Sequence, residues 1–153
     1  MSESKPVIRP AEFKDAEAIF ALIKSYPEEL LPRPISDIVQ NIDRFLVCEL
    51  DGRIVGTVSW QILPEMAAPR QPSVEIQSLA VRKHVHKTGV GRSLVEGAIE
   101  RIKHLHPVQI VALTFAPGFF KRLGFKAQAA ERHRERDRAA DVAGIIYLLH
   151  HLR

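Results

Sequence analysis

Cysteine occurs once, at Cys48, so the chain can close no internal disulfide and build no thiolate zinc site. That thiol stands in the apolar run Phe45-Leu46-Val47-Cys48-Glu49-Leu50 and reads as a buried core group rather than a nucleophile. No apolar run approaches the roughly 20 residues needed to cross a bilayer. Met1 to Pro10 is polar and lacks the apolar segment of a secretory signal. The expected setting is cytoplasmic, without a membrane partner. Internal repeats and low-complexity linkers are also missing, so residues 1–153 are expected to form a single domain. Histidine is not scarce, but His84/His86, His104/His106 and His150/His151 lack the i, i+4 spacing that shares a helix face; no metal is expected.

What the chain does contain is ordinary for a globular protein: 46% hydrophobic and 26% charged residues, which argues against disorder and against a fibre. The net charge of +4 favours anionic partners, a class that includes polyphosphate cofactors as well as nucleic acid. The densest charge run, Glu131 to Arg138, alternates in sign and reads as a solvated face. No nucleic-acid partner is expected.

Periodicity gives the elements. Val7-Ile8-Arg9 reads as a strand ended by Pro10, and Phe13 to Ser25 as an amphipathic helix through Ile19, Phe20, Leu22 and Ile23. After Pro27, Pro32 and Pro34, Ser36 is expected to cap a second helix with Ile38, Val39 and Ile42 inward. Phe45–Leu50 and Ile54–Trp60 flank Asp51-Gly52, a hairpin signal, and Gly56 marks a bulge. Pro64, Pro69 and Pro72 punctuate a loop before a strand from Val74 to Val81. A helix from about Gly89 to His106 follows, with Leu94, Val95, Ala98, Ile99, Ile102 and Leu105 on one face. Val108–Thr114 reads as a central strand, Pro117 and Gly124 bracket a short helix, and strands follow from Phe125 and over Val142–His150. The fold class is α/β, a mixed sheet covered by helices.

Chemistry concentrates where the Val74–Val81 strand ends. The polar loop Arg82-Lys83-His84-Val85-His86-Lys87-Thr88 leads to Gly89 and Gly91, which open a helix. The first turn of a helix has N–H groups without acceptors and the positive end of the dipole, so it receives phosphate oxygens. Glycine lets the backbone approach an anion without a Cβ in the way. Arg82, Lys83, Lys87 and Arg92 add positive charge around the loop. The lysine-bearing phosphate loop is absent, and Leu94 stands where the dinucleotide fingerprint needs its third glycine.

With Leu79 and Val81 before it, this stretch resembles the coenzyme A motif of the GNAT superfamily of N-acetyltransferases, [QR]-x-x-G-x-[GA] after a strand ending L-x-V. Phe119-Phe120-Lys121-Arg122-Leu123-Gly124-Phe125 is similar to that superfamily's second signature, an aromatic-rich short helix ending in G-F. Leu30-Leu31-Pro32-Arg33, Asp51 to Gly56, Val74 to Val81 and Ala112 to Phe120 resemble the short, free-standing amino-acid N-acetyltransferases akin to N-acetylglutamate synthase. The sequence departs from the pattern at His86, where Gln or Arg is usual, at Lys87, at Thr88, at Gln77, where glutamate-acetylating relatives place arginine, and at Phe120, where many members place tyrosine.

The resemblance implies a GNAT-like acyl-CoA N-acyltransferase fold, its mostly antiparallel sheet splayed at strands 4 and 5. It implies an enzyme that moves acetyl from acetyl-CoA to the amine of a small acceptor, with a glutamate-like amino acid as the leading choice, by direct attack in a ternary complex. Coenzyme A would lie along Leu79, Ala80 and Val81, on the loop His86, Lys87, Thr88, Gly89, Val90, Gly91 and Arg92, and beside Phe119 and Phe120. A backbone N–H near Leu79 would polarise the thioester, and Glu75, expected to share a strand face with Gln77, Leu79 and Val81, would accept the amine proton through water. Arg33, Gln77 and Thr114 would hold the acceptor. Tyr26 and Tyr147 are the only tyrosines that could protonate the leaving thiolate. A homodimer stays open, as do two other readings: a non-catalytic acyl-CoA-binding regulatory module and a protein or peptide N-acetyltransferase.

Overall fold

The computed structural model of the chain describes residues 5–63, 72–114, 116–127 and 146–150. Pro64 and Pro69, the charge run Glu131–Arg138 and the expected beginning of the last strand at Val142 lie outside these residues. The chain divides into two compact units. The first holds residues 1–60 and 78–100, the second residues 61–77 and 101–153.

In the first unit, β1 (Val7–Pro10) pairs antiparallel with β2 (Phe45–Leu50), and β2 with β3 (Arg53–Leu63), which runs on into the second unit. Asp51 and Gly52 take φ of 53° and 74°, the left-handed pair that a two-residue hairpin turn requires. The ladder slips between Cys48, opposite Gly56, and Glu49, opposite Ile54, so the bulge expected at Gly56 is there, with Val55 as the extra residue. Gly56 is also where a helix comes close: an added Cβ would stand 2.8 Å from Leu94 Cδ1 and 3.2 Å from Val90 Cγ1. Cys48 is buried, and burial pushes its thiol pKa up.

The expected first helix divides into a 3-10 turn (Phe13–Asp15) and α1 (Ala16–Lys24). Ile19 and Ile23 of α1 pack with Ile38, Phe45 and Val47 in one apolar cluster, with Ile42 at its margin. The second helix, α2 (Ile35–Gln40), corrects two expectations. Pro34, extended at ψ 151°, precedes it, and Ser36 sits inside the first turn, so Ser36 is not the cap. Val39 is 41% exposed because a six-residue helix turns only one apolar residue, Ile38, fully inward.

In the second unit, the first part of β4 (Ser73–Val81) pairs parallel with β5 (Ile110–Thr114) in the register Val74↔Ile110, Glu75↔Val111, Ile76↔Ala112. The ladder stops there, although β4 continues to Val81 and β5 to Thr114; the expected splay of strands 4 and 5 has this as its counterpart. β7 (Ile146–His150) pairs antiparallel with β5 and with β6 (Lys126–Ala127). The sheet is mixed, with β4 and β5 parallel and the other described pairs antiparallel. Helix α3 (Val90–Lys103), which belongs to the first unit up to Glu100, buries Leu94, Val95, Ala98, Ile99 and Ile102 as its periodicity demands. Leu105 lies past its end and is 53% exposed, so it does not join that face. Helix α4 (Pro117–Arg122) starts on its proline and stops at Gly124, φ 95°. Among the described residues no helix is long and apolar enough to cross a membrane.

Candidate functional site

The loop between β4 and α3 lies wholly in the first unit. Arg82 leaves the strand with its N–H on the Val55 carbonyl at 2.8 Å, and a 3-10 turn (Lys83–Val85) follows, its Val85 side chain buried. Three of the loop's amides are used inside it: Val85 N–H donates to Arg82 O at 3.0 Å, His86 N–H to Lys83 O at 3.1 Å and Thr88 N–H to Val85 O at 3.4 Å. The Thr88 hydroxyl donates to the same Val85 oxygen. Lys87 and Gly89 are left-handed, at φ 65° and 91°. The first helical bond of α3 runs from Ser93 N–H to Gly89 O at 2.9 Å, so the amides of Gly89, Val90, Gly91 and Arg92 all precede it. Nothing lies within 4 Å of where a Cβ on Gly89 would sit. Arg82, Lys83 and Lys87 of this loop are exposed; Arg82 Nε donates to the Ile54 carbonyl at 3.2 Å, and Arg92 is turned along the helix to Glu96 at 2.5 Å. Donors at a helix start, preceded by a loop with exposed cations, are what an anion such as a pyrophosphate needs.

The side chain of His86 turns to the protein rather than outward: its Nε2 lies 2.7 Å from the Val81 carbonyl. Tyr26, after α1, donates its hydroxyl to that same oxygen. Burial raises the Tyr26 pKa, and its proton is engaged, so the geometry argues against this phenol as an acid for a leaving group. For Tyr147 only the backbone lies within the described structure.

Arg33 is held by three side-chain hydrogen bonds in the first unit. It is 15% exposed, with Nε on Asp37 Oδ2 at 2.7 Å and Nη1 on Ser59 Oγ at 2.8 Å and Ser78 Oγ at 3.2 Å. Its guanidinium lies over the Phe45 ring, 4.8 Å from the centroid. These bonds use Nε and Nη1; Nη2 takes part in none of them. Sequence reading singled out Arg33 but not Asp37, Ser59 or Ser78, whose polar side chains carry no distinguishing spacing.

In the second unit, Glu75 is 2% exposed, and Gln77 Nε2 donates to its Oε1 and, at 2.8 Å, to Gln61 Oε1. Glu75 and Gln77 therefore share a strand face, as alternation requires. Alternation does not extend past Gln77, because Ser78 takes φ 53° and interrupts the extended chain. Ser78 stands between that pair and Leu79 and Val81, the other two residues expected on the face. Thr114 accepts the Ala116 N–H at 2.8 Å on its hydroxyl, fixing the entry to α4. Phe120 is buried edge-on between Phe119 and Phe125, each 5.1 Å away between ring centroids. Phe119 is half-buried. Among the described residues no group of His, Cys, Asp and Glu could hold a metal ion.

Comparison with known proteins bears directly on this arrangement. The sequence model described as "Acetyltransferase (GNAT) family" matches residues 13–125. An uncharacterized N-acetyltransferase of Chlorobaculum tepidum is 31% identical over 128 residues, 82% of this chain and 79% of that protein. The amino-acid acetyltransferase of Mycobacterium tuberculosis is 28% identical over 127 residues, 80% of this chain and 70% of that one. Among solved structures, the N-acetylglutamate synthase of Neisseria gonorrhoeae, complexed with coenzyme A and N-acetyl-glutamate, superposes with a TM-score of 0.82 at 24% identity. That likeness covers 99% of this chain but 36% of the synthase.

Proposed function

Since the chain belongs to the GNAT family of acetyltransferases, we propose that it moves the acetyl group of acetyl-CoA to the α-amine of a small amino acid of the glutamate class. The observation that carries this reading is the corner before α3, where the amides of Gly89 to Arg92 precede the first helical bond and a Cβ on Gly89 would meet open space. A coenzyme A pyrophosphate there accepts from those amides, and Lys83 and Lys87 neutralise it. The amides of His86 and Thr88 instead stabilise the loop internally.

Acetyl-CoA supplies an activated acyl group as a thioester. The acceptor nitrogen bonds to the acetyl carbon, the carbon–sulfur bond breaks, and the amine proton leaves as the thiolate departs. Holding both reactants together supplies much of the rate. The kink at Ser78 turns the following peptide out of the regular strand, which suits the N–H near Leu79 to the thioester oxygen. Glu75, held by Gln77, accepts the amine proton through a water. A peptide-like α-amine has a pKa of about 7.7–8.0 and a lysine amine about 10.4; the amine of a free amino acid lies between these, so a modest base acting through water suffices. Arg33 offers Nη2 to the acceptor carboxylate, with Gln77 and Thr114 as further acceptor contacts. Phe119 and Phe120 form the apolar side of the coenzyme site. A coenzyme thiol of pKa about 8.5 leaves with little help from an acid, so a buried phenylalanine at position 120 is compatible with turnover.

Thiol release from acetyl-CoA, measured across a panel of free amino acids and N-terminal peptides, tests this. Saturable release with acidic amino acids is expected, and Glu75→Gln is expected to lower kcat about 10²-fold with coenzyme affinity retained. Coenzyme binding without turnover on any amine would favour a regulatory acyl-CoA module. Release with peptides alone would make the protein a peptide acetyltransferase.

A further inference from the structure

We propose that Tyr26 and His86 form a clasp on the Val81 carbonyl that sets the shape of the coenzyme loop, with Tyr26 as a positioning residue for coenzyme binding. The proposal rests on the reading of that loop given above. Tyr26 lies just past the end of α1 and reaches β4 across 55 positions of sequence. Its hydroxyl and His86 Nε2 meet one oxygen, that of Val81, and lie 3.3 Å from each other. The two rings stack at 6.5 Å between centroids with 18° between their planes.

The protonation pattern follows from the acceptor. A carbonyl carries no hydrogen, so the nitrogen 2.7 Å from it must be the donor, and His86 carries a proton on Nε2. The Tyr26 hydroxyl donates to the same carbonyl, so its two lone pairs are both used. What the neutral ring can present elsewhere is Nδ1, an acceptor, which repels rather than binds a phosphate oxygen. At the position where the motif it resembles has Gln or Arg, this chain therefore has a side chain that fastens the loop from within. The loop needs such a fastening. Lys87 and Gly89 are left-handed on either side of Thr88, and a lysine does not adopt that conformation unaided. Fixing His86 at one end and the Ser93–Gly89 bond at the other holds the intervening backbone in one conformation. Tyr26 also belongs to the segment that leads from α1 to Arg33, so the acceptor-side segment and the coenzyme loop meet on one atom.

Two measurements on the full chain decide the matter. Hydrogen exchange in the ligand-free protein follows the amides of residues 86–92. Calorimetric titration with coenzyme A follows binding in Tyr26→Phe, which keeps the ring and loses the hydroxyl, in His86→Leu, in His86→Gln and in the Tyr26→Phe/His86→Leu double variant. Faster exchange over 86–92 is expected in Tyr26→Phe and His86→Leu, with coenzyme A affinity about three- to tenfold weaker in each. His86→Gln, whose amide can still donate to Val81 O, is expected to restore binding to within about twofold of the parent. The double variant is expected to bind no more weakly than the weaker single one, because either change opens the same clasp. Losses that multiply in the double variant, or exchange over 86–92 unchanged by Tyr26→Phe, would overturn the proposal. If the parent chain itself fails to bind coenzyme A, the functional reading falls, and the exchange rates alone decide whether the clasp exists.

Discussion

Asp15 is a carboxylate that its surroundings accept only because Arg9 grips both of its oxygens, Nη1 to Oδ2 at 2.8 Å and Nη2 to Oδ1 at 3.0 Å. Glu12 N–H adds a third bond at 2.8 Å, and Arg9 Nη2 also reaches Glu49. The hydrogen bonds from Arg9 hold the Asp15 pKa below its ordinary 3.8, outweighing the opposing effect of burial. The folded-state pKa lies below the unfolded one, so this contribution is fully present above pH 4 or so and is lost as pH falls through the folded value. Asp15→Asn is expected to cost about 2–3 kcal/mol at neutral pH, since it leaves Arg9 half-paired at a partly buried site. It should also flatten the acid limb of stability; urea unfolding between pH 3 and 7 measures both. Nothing in the sequence marks this pair, because Arg9 and Asp15 belong to different elements and meet only in the fold. Arg33 is the opposite case: the phrase Leu30-Leu31-Pro32-Arg33 singles it out by resemblance, while its partners Ser59 and Ser78 come from two strands.

Elements were legible wherever one local rule decided them. Asp51-Gly52 dictates its hairpin through two positive φ values, and Pro117 and Gly124 dictate the ends of α4. The reading failed where tertiary context overrides the local rule. Val39 has the spacing of a core residue on a helix too short to bury it, and Leu105 has the periodicity of α3 after α3 has ended. The kink at Ser78 is hidden for a different reason: serine has no preference for positive φ, so alternation reads smoothly through a strand that is not smooth. Two glycine substitutions separate packing from backbone conformation at this scale. Gly56→Ala is expected to cost about 1–3 kcal/mol through overpacking, because its Cβ would meet the ends of Leu94 and Val90. Gly89→Ala meets no atom within 4 Å, and its cost of about 1–2 kcal/mol arises from φ 91° alone. Leu94→Ala in the background of each tells them apart in chemical denaturation: coupling is expected with Gly56→Ala and simple additivity with Gly89→Ala.

At the scale of the molecule, the order of strands and helices was readable because each element carries its own periodicity, and the family followed from two short signatures held at a fixed separation. The acceptor was not readable, because the hydrogen bonds of side chains such as Gln77 and Arg33 appear only in three dimensions. A ligand that binds the folded chain alone must raise its unfolding midpoint. Coenzyme A at 100 times its dissociation constant is expected to add about 2.7 kcal/mol, which for a chain of this length corresponds to a rise of about 5–10 °C. Thermal denaturation followed by circular dichroism checks it; a midpoint unmoved by saturating coenzyme would contradict the assignment of the loop. The sealed position of Cys48 has a practical corollary for all such work. A disulfide reagent that titrates liberated coenzyme sulfhydryl meets no competing signal from the folded polypeptide, whereas denaturation uncovers one equivalent per chain, an internal standard for the fraction of protein that has lost its structure.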